Sequence, residues 1–308
     1  MRTALALLLL LSSMPGLAAV CDGVLRDAAR QRDMPVRVRL PEGAARPAPV
    51  VLFSHGLGGS LEAGTVFAEA WARAGYLVIH LQHPGSDKAV WQGAGGAAAL
   101  LQAANRRELS ARLADMRFVA GLVGTGQMVG SCPLSGGDRG RIAAAGHSFG
   151  AVTVMNLART ATGTDTPAFR AVIALSPQSP GNRAELAPAA FGRVAVPVMT
   201  ATGSRDGSPL AGGRSLKEVT AARAAVFRAL PASATGMAHV GLWVDGATHA
   251  DFSGGSPPRG FAADPHPQEL VTAASLAFLD ANLRNSTGRP DLGAARALLK
   301  PGDRLETK

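Results

Sequence analysis

Cysteine and aromatic residues are scarce: 308 residues hold two cysteines and one tyrosine, and aromatics make up 5% of the chain. So few ring side chains leave little on which nucleic-acid bases could stack. There is no C-x-x-C, no H-E-x-x-H and no phosphate-binding glycine loop, so no metal and no cofactor are expected. Internal repeats and low-complexity tracts are missing as well. Beyond residue 20, no apolar run reaches the roughly 20 residues of a membrane-spanning helix, so stable membrane insertion is not expected.

Positive charge is present in excess, with 31 Lys and Arg against 22 Asp and Glu, a net +9. It is spread along the chain, and Arg106-Arg107 is the one adjacent pair. A solvated basic surface explains it, and no nucleic-acid partner is expected. A hydrophobic fraction of 47% is enough for a substantial core and argues against disorder.

The first nineteen residues read as an export signal. Arg2 supplies the positive end, "ALALLLLLSS" the apolar core, and "MPGLAAV" the small residues for cleavage after Ala18 or Ala19. Residues 20–308 are then expected to form one domain, periplasmic or secreted. Cys21 raises the question of a lipid anchor, but Val20 stands where that signal needs a small residue. In an oxidising compartment Cys21 and Cys132 are candidates for a disulfide; two unpaired thiols are the alternative.

The patterning alternates strands with helices. "APVVLFSHG", "YLVIHLQ", "RIAAAGH", "AVIALSPQ", "VPVMTATGS" and "HVGLWVDG" are apolar runs closing on turn residues. Helical spacing lies between them, including Leu109, Leu113, Met116 and Val119. Such an order predicts an α/β fold, a mostly parallel twisted sheet with helices on both faces. A small cap is a further candidate, built from the segments 177–193 and 206–219. In such sheets the ligand site lies beyond the carboxyl ends of the strands.

Those ends carry the chemistry-bearing residues. "GHSFG" places Ser148 between Gly146 and Gly150, at a strand-to-helix turn. Glycines there let neighbouring backbone approach while the serine hydroxyl stands clear of the sheet. The N–H of Phe149, at a helix start, faces the site where negative charge would develop. A serine hydroxyl needs a base. His249, in the loop after the last long strand, is the candidate; His266 is the runner-up, and His239 sits at the wrong end of its strand. Asp206, after another strand, is the candidate carboxylate to orient the histidine. "SHGLGG" offers Leu57 as a second backbone donor, with His55 holding the loop. His83 in "QHPGSD" and Trp91 nearby are candidates, with His55, for the border of a substrate pocket.

With "FSHGLGG" and "GHSFG" together, the chain from Val36 to Leu283 resembles the α/β-hydrolase superfamily. Within it, the dienelactone-hydrolase-like and platelet-activating-factor-acetylhydrolase-like branch is the most similar. The resemblance implies a triad of Ser148, Asp206 and His249, with Leu57 and Phe149 as oxyanion donors. It departs in two places. Dienelactone hydrolases use a cysteine where Ser148 stands. The acetylhydrolase acid follows the strand after the elbow, where this chain has "ALSPQSP" without a carboxylate. The later position of Asp206 is similar to cutinases and secreted polyester hydrolases. The expected function is therefore an exported serine hydrolase acting on carboxylic esters, either short and medium acyl esters or polyester oligomers. A short-acyl phospholipid hydrolase is the alternative enzyme, and a non-catalytic binding protein on the same fold the alternative class.

Overall fold

The structure is a computed structural model that describes residues 19–43, 47–159, 169–194, 196–207, 211–232, 238–255 and 264–308. The expected export signal lies outside the described residues apart from Ala19, as does part of the candidate cap at 208–210.

The strands in chain order begin with β1 (Val20–Asp27), β2 (Arg32–Arg39), β3 (Ala48–Ser54) and β4 (Leu77–Leu81). A small hairpin follows, β5 (Met128–Val129) with β6 (Cys132–Pro133). Then come β7 (Gly137–His147), β8 (Phe169–Leu175), β9 (Val198–Arg205), β10 (Val240–Thr248) and β11 (Arg304–Thr307). The helices are α1 (Thr65–Arg73), α2 (Lys88–Gln92), α3 (Gly96–Gln102), α4 (Arg106–Leu122) and α5 (Phe149–Arg159). They continue with α6 (Ala187–Phe191), α7 (Leu216–Ala229), α8 (His266–Leu279) and α9 (Gly293–Ala297).

Nine strands form one sheet in the order β1-β2-β4-β3-β7-β8-β9-β10-β11. The six from β4 to β10 pair in parallel, and β1, β2 and β11 are antiparallel additions at the edges. Every residue of β3 and β4 is buried, as a parallel sheet covered on both faces requires. Alternation sorts the side chains. Val50, Leu52, Ile142 and Ala144 pack with α4, α5 and α7 on one face. Val51, Phe53, Ala143 and Ala145 pack with α1 and α8 on the other.

The chain leaves β3 toward β4 on one side and returns to β7 on the other. The carboxyl ends of β3 and β7 therefore border the point where the strand order reverses, and a crevice opens at such a point. Ser54 and Gly146 are register partners there, so "HGLGG" and "GHSFG" emerge side by side. Within the segment 177–193, α6 buries Ala187 and Phe191 in the core beside α7. That part of the candidate cap is core, because its apolar residues have a helix face to pack on.

Cys21 and Cys132 form a disulfide with Cα atoms 5.9 Å apart. It joins β1 to the β5–β6 hairpin and occupies the thiol that lipid attachment at Cys21 would need. Among the described residues, no helix is long and apolar enough to cross a membrane.

Candidate active site

The turn after β7 is the tightest point of the structure. Ser148 has φ 55°, in the left-handed region that non-glycine residues rarely adopt. Such a backbone costs about 1–3 kcal/mol and persists only where its surroundings enforce it. The enforcement is visible: the Ser148 N–H donates to Leu175 O at 2.9 Å, and its carbonyl accepts Val152 N–H at 3.0 Å as α5 begins. A Cβ added at Gly150 would overlap the Ser54 carbonyl oxygen, and one at Gly146 would strike the Gly150 carbonyl. Both glycines are there because β3, β7 and α5 converge on less than a side chain's width.

Three side chains from three strand ends meet above this turn. His249 Nε2 lies 3.0 Å from Ser148 Oγ. His249 Nδ1 lies 2.7 Å from Asp206 Oδ1, and Thr202 Oγ1 donates to Asp206 Oδ2 at 2.8 Å. Asp206 is completely buried, while the His249 side chain keeps 23% exposure. Burial opposes the charge on Asp206, but the His249 hydrogen bond, the nearby Arg223 cation and the Thr202 hydroxyl hold its carboxyl below the usual range. An ionised carboxylate at Nδ1 fixes that nitrogen as the N–H and leaves Nε2 free to accept the serine proton.

The alternatives for these roles sit elsewhere. His266 Nε2 pairs with Asp303 Oδ2 at 2.8 Å, tying the start of α8 to the turn before β11. His239 Nδ1 accepts the Val198 N–H at 3.1 Å, at the opposite end of the sheet. Asp245 accepts from Ser204 Oγ, and Asp251 holds both the N–H and hydroxyl of Thr248 at 2.7 Å, bracing the loop that carries His249.

Two backbone N–H groups close to the elbow are left without a partner among the described residues. In the loop after β3, the N–H groups of Gly58 and Gly59 are taken by Ser86 O and Gly56 O. The N–H of Leu57 and that of Phe149 have no hydrogen-bond acceptor among the described residues. Gly56 lies against the elbow: a Cβ there would come 3.4 Å from Ser148 Cβ.

The candidate pocket residues divide. His55 and His83 are fully buried, so neither can border an open pocket; they lie behind the loop. His55 Nδ1 donates to Gly56 O at 2.6 Å and its Nε2 accepts the His83 N–H at 3.0 Å, which requires the neutral ring. Burial and the Arg112 charge hold its pKa well below the ordinary value. His83 bridges Ser54 Oγ at 2.9 Å and Asp115 Oδ2 at 3.0 Å, and burial pushes it down to about 4. The sequence places them at the pocket border because their loops neighbour the elbow, and it also offers His55 as the residue that holds its loop, which is the position these hydrogen bonds give it. Both are buried because the loops need internal hydrogen-bond partners. Trp91 is 49% exposed, with its Nε1 donating to Gly58 O at 3.2 Å at the rim of the loop.

Three supporting residues surround the site: His147, which at the variable position of the motif reads as a packing residue, and Arg223 and Arg112, which escaped the sequence reading. His147 packs against His249 with ring centroids 4.6 Å apart and the planes tilted by 42°, and its Nε2 donates to the His249 carbonyl at 3.0 Å. Burial and the neighbouring His249 push its pKa down to about 3. Arg223 of α7 is fully buried. It grips the loop after β9, donating to Asp206 O at 2.9 Å and Gly207 O at 3.0 Å, and reaches across to Ser176 O at 2.6 Å. Arg112 of α4 is likewise fully buried, behind the loop after β3. Its signal was present in the spacing. Arg112, Asp115, Met116 and Val119 share one helical stripe, and that stripe is the buried one. Leu109 and Leu113, the expected face, are half-buried.

No protein-family model matches the chain, and no curated protein matches its sequence. Similarity to solved structures is clear. A ferulic acid esterase from Streptomyces cinnamoneus superposes with a TM-score of 0.55 at 19% identity, covering 92% of this chain and 92% of that one. A dienelactone-hydrolase-like protein from Klebsiella pneumoniae subsp. pneumoniae MGH 78578 gives 0.52 at 20% identity, covering 75% of this chain and 88% of that one. With the sheet order and elbow above, these likenesses make the fold an α/β-hydrolase fold.

Proposed function

We propose that this chain is an exported serine hydrolase that cleaves carboxylic esters through an acyl-enzyme. The observation that carries the reading is the unbroken chain of hydrogen bonds Ser148 Oγ–His249–Asp206, at 3.0 and 2.7 Å, on a serine with left-handed backbone. Ser148 Oγ attacks the ester carbonyl as its proton passes to His249 Nε2. The carbonyl oxygen becomes an oxyanion and accepts from the N–H groups of Leu57 and Phe149. His249 then gives its proton to the departing alkoxide, which leaves as an alcohol. Water attacks the acyl group by the same route in reverse, releasing acid and restoring the serine. Asp206 stabilises the imidazolium in both halves.

Two further observations support the reading. One structural neighbour is an esterase, and non-catalytic binding proteins on such a fold usually lack one of the three side chains that are all present here. The disulfide supports export, since such bonds persist in oxidising compartments.

A fluorophosphonate probe tests the serine directly. The wild type should be labelled once, at Ser148, and should hydrolyse p-nitrophenyl acetate. Ser148→Ala should lose the label and at least about 10³-fold in kcat. Full turnover by Ser148→Ala would remove the mechanism.

A further inference from the structure

Arg112 is an unusual occupant of a protein interior. The guanidinium is fully buried, and among the described residues it forms no ion pair with a carboxylate. Asp115, three residues on, is already engaged by Arg30, Arg32 and His83. A buried cation with no carboxylate in direct contact is costly to fold around, even with Asp115, Glu108 and Asp87 in its neighbourhood, and its neighbours show what it could serve.

Its contacts show what it touches. Nη1 donates to His55 O at 2.6 Å, and Nη2 approaches Gly56 O and Ser86 O at 3.4 and 3.3 Å. Nε donates to Ser86 Oγ at 2.8 Å. The guanidinium carbon lies 4.6 Å over the centroid of the Phe149 ring. One side chain therefore reaches both residues that supply backbone donors, through the loop on one side and the ring on the other. The Gly56 carbonyl and the Leu57 N–H belong to one peptide group, which is planar and rigid. Pinning the carbonyl therefore aims the N–H. Three donors pin it: His55 Nδ1 at 2.6 Å, Gly59 N–H at 3.1 Å and Arg112. Each also polarises the amide and makes its N–H a stronger donor.

We infer that Arg112 is a positioning residue for the oxyanion site, a buried cation that orients the Gly56–Leu57 peptide, seats Phe149 and favours negative charge on the reacting oxygen. The inference rests on the esterase reading above. It concerns the transition state rather than substrate binding, because Arg112 lies behind the loop and out of a substrate's reach.

The test compares Arg112→Gln, which removes the charge, with Arg112→Lys, which keeps it without the planar fork. Rates are expressed per active site titrated with the fluorophosphonate, so misfolded protein does not count. Arg112→Gln should lower kcat about 10²-fold with KM within about threefold, as removal of an oxyanion donor does. Arg112→Lys should fall between that and wild type. An alkyl boronic acid, which mimics the tetrahedral intermediate, should lose affinity in proportion. If both arginine variants fail to fold, Ser86→Ala loosens the fork by one hydrogen bond and should lower kcat and boronate affinity together, several-fold. Unchanged kcat per titrated site and unchanged boronate affinity, in the arginine variants or failing those in Ser86→Ala, would overturn the role of Arg112 alone. A wild-type chain that hydrolyses no ester would instead sink the reading on which it rests.

Discussion

At the scale of single residues, the site separates what sequence order reveals from what only packing reveals. Ser148, Asp206 and His249 were legible because each follows a strand and because glycines flank the serine. Arg112 and Arg223 were not, because an arginine on a helix usually lies at the surface; the stripe that Arg112 shares with Asp115, Met116 and Val119 was in the spacing, but two charged residues on it read as a solvated face. Asp206 offers the sharpest residue-scale test. Replaced by Asn, it loses its charge but keeps its shape, and the amide at His249 Nδ1 no longer selects the productive tautomer. Asp206→Asn should lower kcat by about 10³–10⁴-fold, and it should lower the thermal midpoint as well, because the buried Arg223 guanidinium 3.2 Å away loses its carboxylate partner. Stopped-flow acylation with p-nitrophenyl acetate would show whether the loss lies in the acyl-transfer step.

At the scale of elements, the strand–turn–helix unit from β7 to α5 depends on the missing side chains of two glycines. A methyl group at Gly150 would have to displace the end of β3, which leads into the loop of Gly56 and Leu57. Gly150→Ala should destabilise the protein by at least about 3 kcal/mol, as severe overpacking does, measured by urea denaturation. A midpoint within error of wild type would mean that the turn relaxes freely. The central strands and the long helices were legible from apolar runs and helical spacing. The edge strands β1 and β11 were not. β1 alternates buried with exposed positions over only eight residues, "VCDGVLRD", and includes a glycine and three charges. β11 is four residues long. Their pairing comes from partners already in place, which a local window cannot contain.

At the scale of the whole molecule, buried neutral histidines make stability sensitive to acid. Burial pushes His80 down to about 3, and burial with neighbouring charge pushes His147 to about 3 and His83 to about 4. The unfolded chain binds protons at these rings below about pH 6.5, while the folded chain refuses them until pH 3–4. Unfolded protein therefore holds more protons across that window, and stability rises with pH through it. It is complete above about pH 6.5 and is lost as the pH falls toward 4, each histidine steepening the fall by about 1.4 kcal/mol per pH unit. Urea midpoints between pH 4 and 8 would measure this. His80→Asn should flatten the slope by about one proton, and a wild-type midpoint constant from pH 7 to 5 would contradict the account.

The bridge between Cys21 and Cys132 spans 111 positions. If the chain crosses a membrane amino end first, Cys21 emerges long before its partner does. During that interval its thiol is open to any oxidant or to another cysteine, and β1 has not yet been tethered. One of the first strands to arrive would then wait for its tether, so the order of emergence sets a window for mispairing that the folded chain no longer shows.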